Sequence, residues 1–331
     1  MRRRAAWLLA VIGLALAVGL IGMARPAAII QLVRQSRPGG IALAFCWAVM
    51  VLILRGARLA LLVGGGLSVG RAVGVMGVVS MAVAALPLRA GDLALIPLLR
   101  ASGVRGTIRG VSFLVSVRVL DVVGLLCWVL VAAALLGRRY GWAALMLAAV
   151  PLAAAAAAVV STRLLRRVAG RWRRQGGPRR RVLGQLLHVR RDLRQAIRSP
   201  LRAGGALVLS IGIWGGIWLL TVALTHAMGL TWSGATVLLG VVGATVGAAV
   251  PLNAVGSFGT LEAGWTAALS SLGIPAAEAL AAGFATHLWS LVFSATLGGT
   301  CALALALTQP GSADITRRAA RNAERTPPDV E

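Results

Sequence analysis

Acid is scarce in this sequence and lysine is absent: nine Asp and Glu stand among 331 residues, against thirty-four basic residues that are all Arg. Clusters of acid, His or Cys with metal-ligand spacing are missing, as are HExxH, GxSxG and P-loop patterns. The three cysteines, Cys46, Cys127 and Cys301, each lie inside an apolar run, where a thiol behaves as a small hydrophobe. No disulfide framework, metal or cofactor is expected, and no enzymatic signature is found. Charged residues make up only 13% of the chain, well below the roughly 25% of soluble domains. With 58% of residues hydrophobic, that shortage excludes a water-soluble globule.

What is present is apolar sequence in long runs, at 5–24, 41–62, 110–136, 142–160, 203–228 and 279–308. Each approaches or exceeds the ~20 residues that cross a hydrocarbon core as a helix. None alternates apolar and polar residues as a membrane β-strand does. The fold class read from this is an all-α polytopic membrane protein, with a single membrane domain at 1–308 and a disordered polar tail at 309–331. The stretch 5–24 follows Arg2–Arg4 and exceeds the 7–15 apolar residues of a signal peptide, so it reads as an uncleaved first helix. A net charge of +25 would suit nucleic acid, but the Arg residues lie between or at the ends of apolar runs, the pattern of loops facing anionic lipid. No nucleic-acid partner is expected.

Two regions are broken. In 67–109 an apolar run stops at Pro87, Arg89, Gly91 and Asp92, and again at Pro97; in 232–274 it stops at Pro251, Asn253, Gly256, Gly259 and Glu262. Cytoplasmic loops collect positive charge, and fourteen Arg lie between Arg163 and Arg202. If 67–86 crossed the bilayer completely, all fourteen would fall outside. Both broken regions therefore read as re-entrant helical hairpins, the first from the cytoplasmic face and the second from the opposite one. About six full spans remain, in two halves, 1–160 and 203–308, related as an inverted repeat around the Arg-rich cytoplasmic loop 161–202. Both termini then face the cytoplasm and the protein resides in the cell membrane. Paired interrupted segments in two halves point to a transport site near the midplane. Within the loop, Val182–Ile197 has an amphipathic pattern suited to anionic headgroups.

Ionisable residues at membrane depth are functional candidates by default, because an Asp or Arg at a helix centre costs about 2.5–3.5 kcal/mol to insert. Arg118 and Asp121 lie three apart on one helix and can pair, either as a structural lock or at a site. Asp92 and Glu262 each follow a Pro and Gly turn and open a short helix, where an acid also serves as a cap. His287 lies 25 residues after Glu262, much as Arg118 lies 26 after Asp92. These residues, with Arg89 and Asn253, form the candidate substrate-binding set.

The hairpin sequences LPLRAGDLALIPLL (Leu86–Leu99) and VPLNAVGSFGTLEAG (Val250–Gly264), followed by SVRVLDVVGLL (Ser116–Leu126) and LGIPAAEALAAGFATHLWSL (Leu272–Leu291), carry a resemblance. The chain resembles the transmembrane family named after lysylphosphatidylglycerol synthase, over about residues 5–308. The resemblance implies a flippase-like carrier of a phospholipid or glycolipid, without the soluble aminoacyl-transfer domain and hence without lipid aminoacylation. The chain departs from the family pattern at Leu95 and His287, where members often have Arg, at Val117, where they often have Glu, and near Val255, where a Pro is replaced. Two other readings remain: an ion-coupled small-solute transporter with Asp92 and Glu262 as proton acceptors, and a scaffold for a separate glycosyltransferase or lipid synthase. A homo-oligomer or a partner membrane enzyme is compatible with each.

Overall fold

The computed structural model describes residues 25–104 except 65, 110–137, 199–249 and 258–308, with a few positions just before residue 25. The expected span 142–160, nearly all of 5–24, the amphipathic stretch 182–197 and the tail after 308 lie outside the described residues. Among those described, nine α-helices and one 3-10 segment form an all-α, multi-span membrane protein. They are α1 (Pro26–Arg34), α2 (Pro38–Val63), α3 (Val69–Ala85), the 3-10 segment Pro87–Ala94, α4 (Leu95–Ala101) and α5 (Gly110–Gly137). After the loop come α6 (Pro200–Ala227), α7 (Gly234–Ala249), α8 (Thr260–Ser270) and α9 (Ala276–Thr308).

Helices α2, α5, α6 and α9 are each long and apolar enough to cross a membrane. Their boundaries fall within about three residues of the corresponding apolar runs. Pro26, Pro38 and Pro200 open α1, α2 and α6, where the fixed ring torsion suits a first turn and the missing N–H costs nothing. Large apolar side chains such as Leu43, Met50, Ile53, Leu130, Val208, Leu303 and Leu307 point outward from these four helices. Water would not tolerate such rows, whereas lipid tails solvate them.

The apolar runs do not foretell α1. It has nine residues between Arg25 and Arg34, too few to span, and it lies across the start of α9. Ile29 packs with Met228, Leu280 and Phe284, and the Gln35 side-chain amide donates to the Met228 carbonyl at 2.9 Å.

Helices α2 and α6 run antiparallel at close range: Gly40 sits beside Ala227, Gly216 beside Val51 and Gly205 beside Leu61. After α2 the chain turns into α3, whose first turn is capped by the Ser68 hydroxyl accepting from the Arg71 N–H at 3.3 Å. At Pro87 the chain reverses. Gly91 then lies so close to the backbone of Ala82 and Val83 that any side chain would collide with it. The return path ends where it began, since the Arg71 guanidinium donates to the Ala101 carbonyl at 3.2 Å. Leu67, Val75, Val79, Leu95 and Leu99 fill the space between the two legs and α2.

Helices α7 and α8 form a second, tighter reversal. Gly240 carries the Trp265 ring, Gly243 and Gly264 meet backbone to backbone, and Gly247 meets the Thr260 carbonyl. Without a hydrophobic driving force between helices in lipid, such small-residue seams are the usual means of association, because they let dispersion contacts form between backbones.

Helix α9 contacts both reversals and serves as a ruler. Gly74, Gly77 and Met81 of α3 lie against Leu305, Cys301 and Gly298, so the first reversal opens at the Thr308 end. Trp265 packs on Gly283 and its indole N–H donates to the Ala279 carbonyl at 3.0 Å, so the second opens at the Ala276 end.

Substituting Gly243 by Val places two methyls into the Gly264 backbone. Overpacking of this kind costs about 1–3 kcal/mol where side chains can yield, and more against backbone. A lowered thermal midpoint and reduced folded yield in detergent are expected, while Gly204→Ala, which meets nothing within 4 Å, should leave both unchanged or slightly raised.

Candidate functional site

Charge buried in a membrane protein has to find its partners inside the protein. Arg58, on α2, is 2% exposed. Its Nη1 donates to Asp121 Oδ1 on α5 at 2.6 Å and to the Ser210 hydroxyl on α6 at 2.9 Å. Ser210 remains able to accept because its own proton goes to the Ala206 carbonyl at 2.7 Å. The Trp214 indole N–H donates to the Asp121 carbonyl at 2.9 Å and fixes α5 on α6 at this point.

Arg118 lies one turn before Asp121 on α5. Its Nη1 is 3.6 Å from Asp121 Oδ2, as the spacing suggests, but its closer partner is Asp92 Oδ2 on the 3-10 segment. Asp92 is therefore not the cap of a short helix: it ties the first reversal to α5. The Arg118 side chain keeps 42% of its surface exposed, whereas Asp92 and Asp121 are four-fifths covered. Arg118 is thus the most open of the three side chains. One turn before Arg58, the Arg55 Nη1 donates to the Ser80 hydroxyl of α3 at 3.3 Å.

The second acid behaves differently. Glu262 is fully buried, and its Oε2 accepts from the Gly259 N–H at 2.7 Å at the start of α8, so the capping reading holds here. Gly259 adopts φ 114°, a conformation open to glycine and strained for other residues. The other oxygen, Oε1, is 2.5 Å from His287 Nδ1 of α9. His287 is 8% exposed, and the Phe258 ring covers it with centroids 4.6 Å apart. The contact joins the start of α8 to α9.

The candidate residues thus fall into two groups. Asp92, Arg118 and Asp121 join Arg58, Arg55, Ser80 and Ser210 between the first reversal and α2, α5 and α6; Glu262 and His287 join the second reversal to α9. Arg89 has its backbone in the 3-10 segment. Asn253 lies outside the described residues. Sequence reasoning passed over Arg55 and Arg58, although two Arg inside the apolar run 41–62 are the same signal that singled out Arg118.

Residues 10–298 match the family model described as the lysylphosphatidylglycerol synthase TM region. This chain belongs to that family. Membership and the polytopic apolar architecture support a flippase-like, lipid-handling membrane carrier role. The match is to the membrane region of the synthase, which is consistent with a transport or scaffold role. No curated protein matches the chain.

Replacing Arg58 by Met should lower the thermal midpoint sharply, because Asp121 then keeps only the longer Arg118 contact. Loss of one partner from a buried pair typically costs about 3–5 kcal/mol. Adding Asp121→Asn to Arg58→Met should recover part of the loss, which a melting series on the two variants measures.

Proposed function

We propose that the chain moves a lipid with a phosphate-bearing headgroup between leaflets, along a path walled by two re-entrant hairpins that enter from opposite faces. The observation that carries the reading is the position of the two polar groups along α9. Gly91 stands on Ala82, next to Met81, which faces Gly298, so Asp92 and its partner Arg118 lie near the level of residue 297. Glu262 lies at His287. Ten residues separate these levels, roughly 15 Å at 1.5 Å per residue. Both fall in the middle third of Ala276–Thr308, and the two reversals open at opposite ends of that helix.

The reversals α3 to α4 and α7 to α8 are then the hairpins of an inverted repeat. The six full spans are 5–24, α2, α5, 142–160, α6 and α9. Irregular backbone at membrane depth is tolerated where protein or a polar cavity surrounds it; here Gly91 packs on the Ala82–Val83 backbone and the Gly259 N–H is taken by Glu262. Arg89, Asp92, Arg118, Asp121, Asn253, Glu262 and His287 line the path. Arg118 is the headgroup contact: its planar fork suits phosphate, and Asp92 and Asp121 hold it when no lipid is present. The loop 161–202 rests on anionic headgroups at the cytoplasmic face, with both termini on that side.

Vesicles reconstituted with the protein and a fluorescent phospholipid, with the outer fluorophore quenched chemically, measure translocation directly. Arg118→Gln should reduce the rate at least tenfold with little change in melting, because Asp121 retains Arg58. Adding Asp92→Asn should not restore the rate. Recovery of transport in that double variant would make the pair a structural lock and remove Arg118 from the path.

Topology offers an independent check. In a variant lacking the three native cysteines, a Cys at 173 or 318 should resist labelling from outside intact cells, and one at 141 or 229 should label. Outside labelling at 173 would contradict the hairpin arrangement.

A further inference from the structure

The ionic group around α2 is not electrically balanced. It contains three guanidiniums, Arg55, Arg58 and Arg118, and two carboxylates, Asp92 and Asp121. Arg58 and Arg118 engage both acids. Arg55 has a neutral hydroxyl, that of Ser80, as its hydrogen-bond partner among the described residues. It nevertheless lies within electrostatic range of all four other charges. In addition, Arg58 Nε is buried without an acceptor, on a side chain that is 98% covered.

Among the described residues no further acid makes up the difference. Glu262 is engaged by Gly259 and His287, and Glu278 stands at the first turn of α9, at the end of that helix farther from Asp92. The remaining acids are Asp192, among the Arg residues of the loop, and four residues after position 308. Arg89 adds further positive charge to the same hairpin. An uncompensated guanidinium at membrane depth is strongly disfavoured, so a counter-charge from beyond the described residues is called for, and a bound anion supplies one.

We infer that Arg55, Arg58 and Arg118 form a binding site for one anionic phosphate group, seated between α2 and the first hairpin. A phosphodiester suits it because its unesterified oxygens accept from forked guanidiniums, and a single negative charge brings the group to neutrality. The exposed face of Arg118 is the entrance; Arg55, with no acid of its own, is the seat. The inference rests on the lipid-carrier reading only for the source of the phosphate.

The test is thermal unfolding of the purified full chain, alone and titrated with inorganic phosphate, with short-chain phosphatidylglycerol below its micelle concentration, or with a short-chain diacylglycerol. Either phosphate probe should raise the midpoint of the wild type, and diacylglycerol should not. Arg55→Gln should melt at the same temperature or higher without ligand, because it removes an unmatched charge, and should need at least tenfold more phosphate probe for the same shift. A structural Arg55 gives the opposite sign, so an Arg55→Gln variant that melts lower or fails to fold would overturn the site. Equal shifts in wild type and Arg55→Gln would also overturn it, as would a wild type that responds to neither phosphate probe. A response to phosphatidylglycerol alone, or to both, supports the site with a headgroup as its ligand. A response to inorganic phosphate alone keeps the site and counts against the lipid reading. Translocation that persists while both phosphate probes are without effect would leave the carrier standing and remove the site.

Discussion

A guanidinium inside a bilayer cannot be left to water, and Arg58 meets that constraint by drawing three helices to one point. One nitrogen bridges Asp121 of α5 and Ser210 of α6. The other carboxylate oxygen of Asp121 is left to Arg118, which in turn takes Asp92 from the first hairpin. Each link depends on the one before. The lateral arrangement of α2, α5, α6 and the hairpin is therefore tied by a chain of ion-paired charges, while apolar packing fills the space around it. In lipid this division is natural, since apolar side chains gain little by leaving one hydrocarbon surface for another.

The two hairpins solve the same problem by different means. The first is bound through charge at its tip, between Asp92 and Arg118, and through the Arg71 to Ala101 hydrogen bond at its mouth. The second closes along its whole length through Gly240, Gly243, Gly247 and Gly264, and buries its acid against an imidazole. Arg118, exposed and always charged, is suited to meeting a headgroup. Glu262 and His287, both buried, instead join two elements of the protein.

Much of this architecture was legible in the residues. Apolar runs located the long helices because crossing hydrocarbon imposes a length that composition reveals, and Pro87 with Gly91 marked the reversal because both interrupt a helix for local reasons. The cap at Glu262 was legible for the same reason: a cap and its backbone partner lie three residues apart. What escaped were relations over long separations. Arg58 and Ser210 are 152 residues apart, and nothing in an apolar run tells which face meets protein and which meets lipid. The pairing of Arg118 with Asp121 was legible as a spacing, but the stronger contact to Asp92 depended on where the hairpin tip falls. Helix α1 escaped because its nine residues are too short for a span and its purpose is to cover the start of α9.

The glycine seam of the second hairpin has a mechanical consequence. Two helices joined by side chains can slide, because rotamers give way one at a time. Gly243 and Gly264 touch through main-chain atoms, which have no rotamers, so α7 and α8 cannot shear past each other without breaking contact along the whole seam. The pair behaves as a stiff beam. Its open end lies beside the Ala276 end of α9, and its other end carries Gly259 and Glu262, with His287 of α9 against the carboxylate.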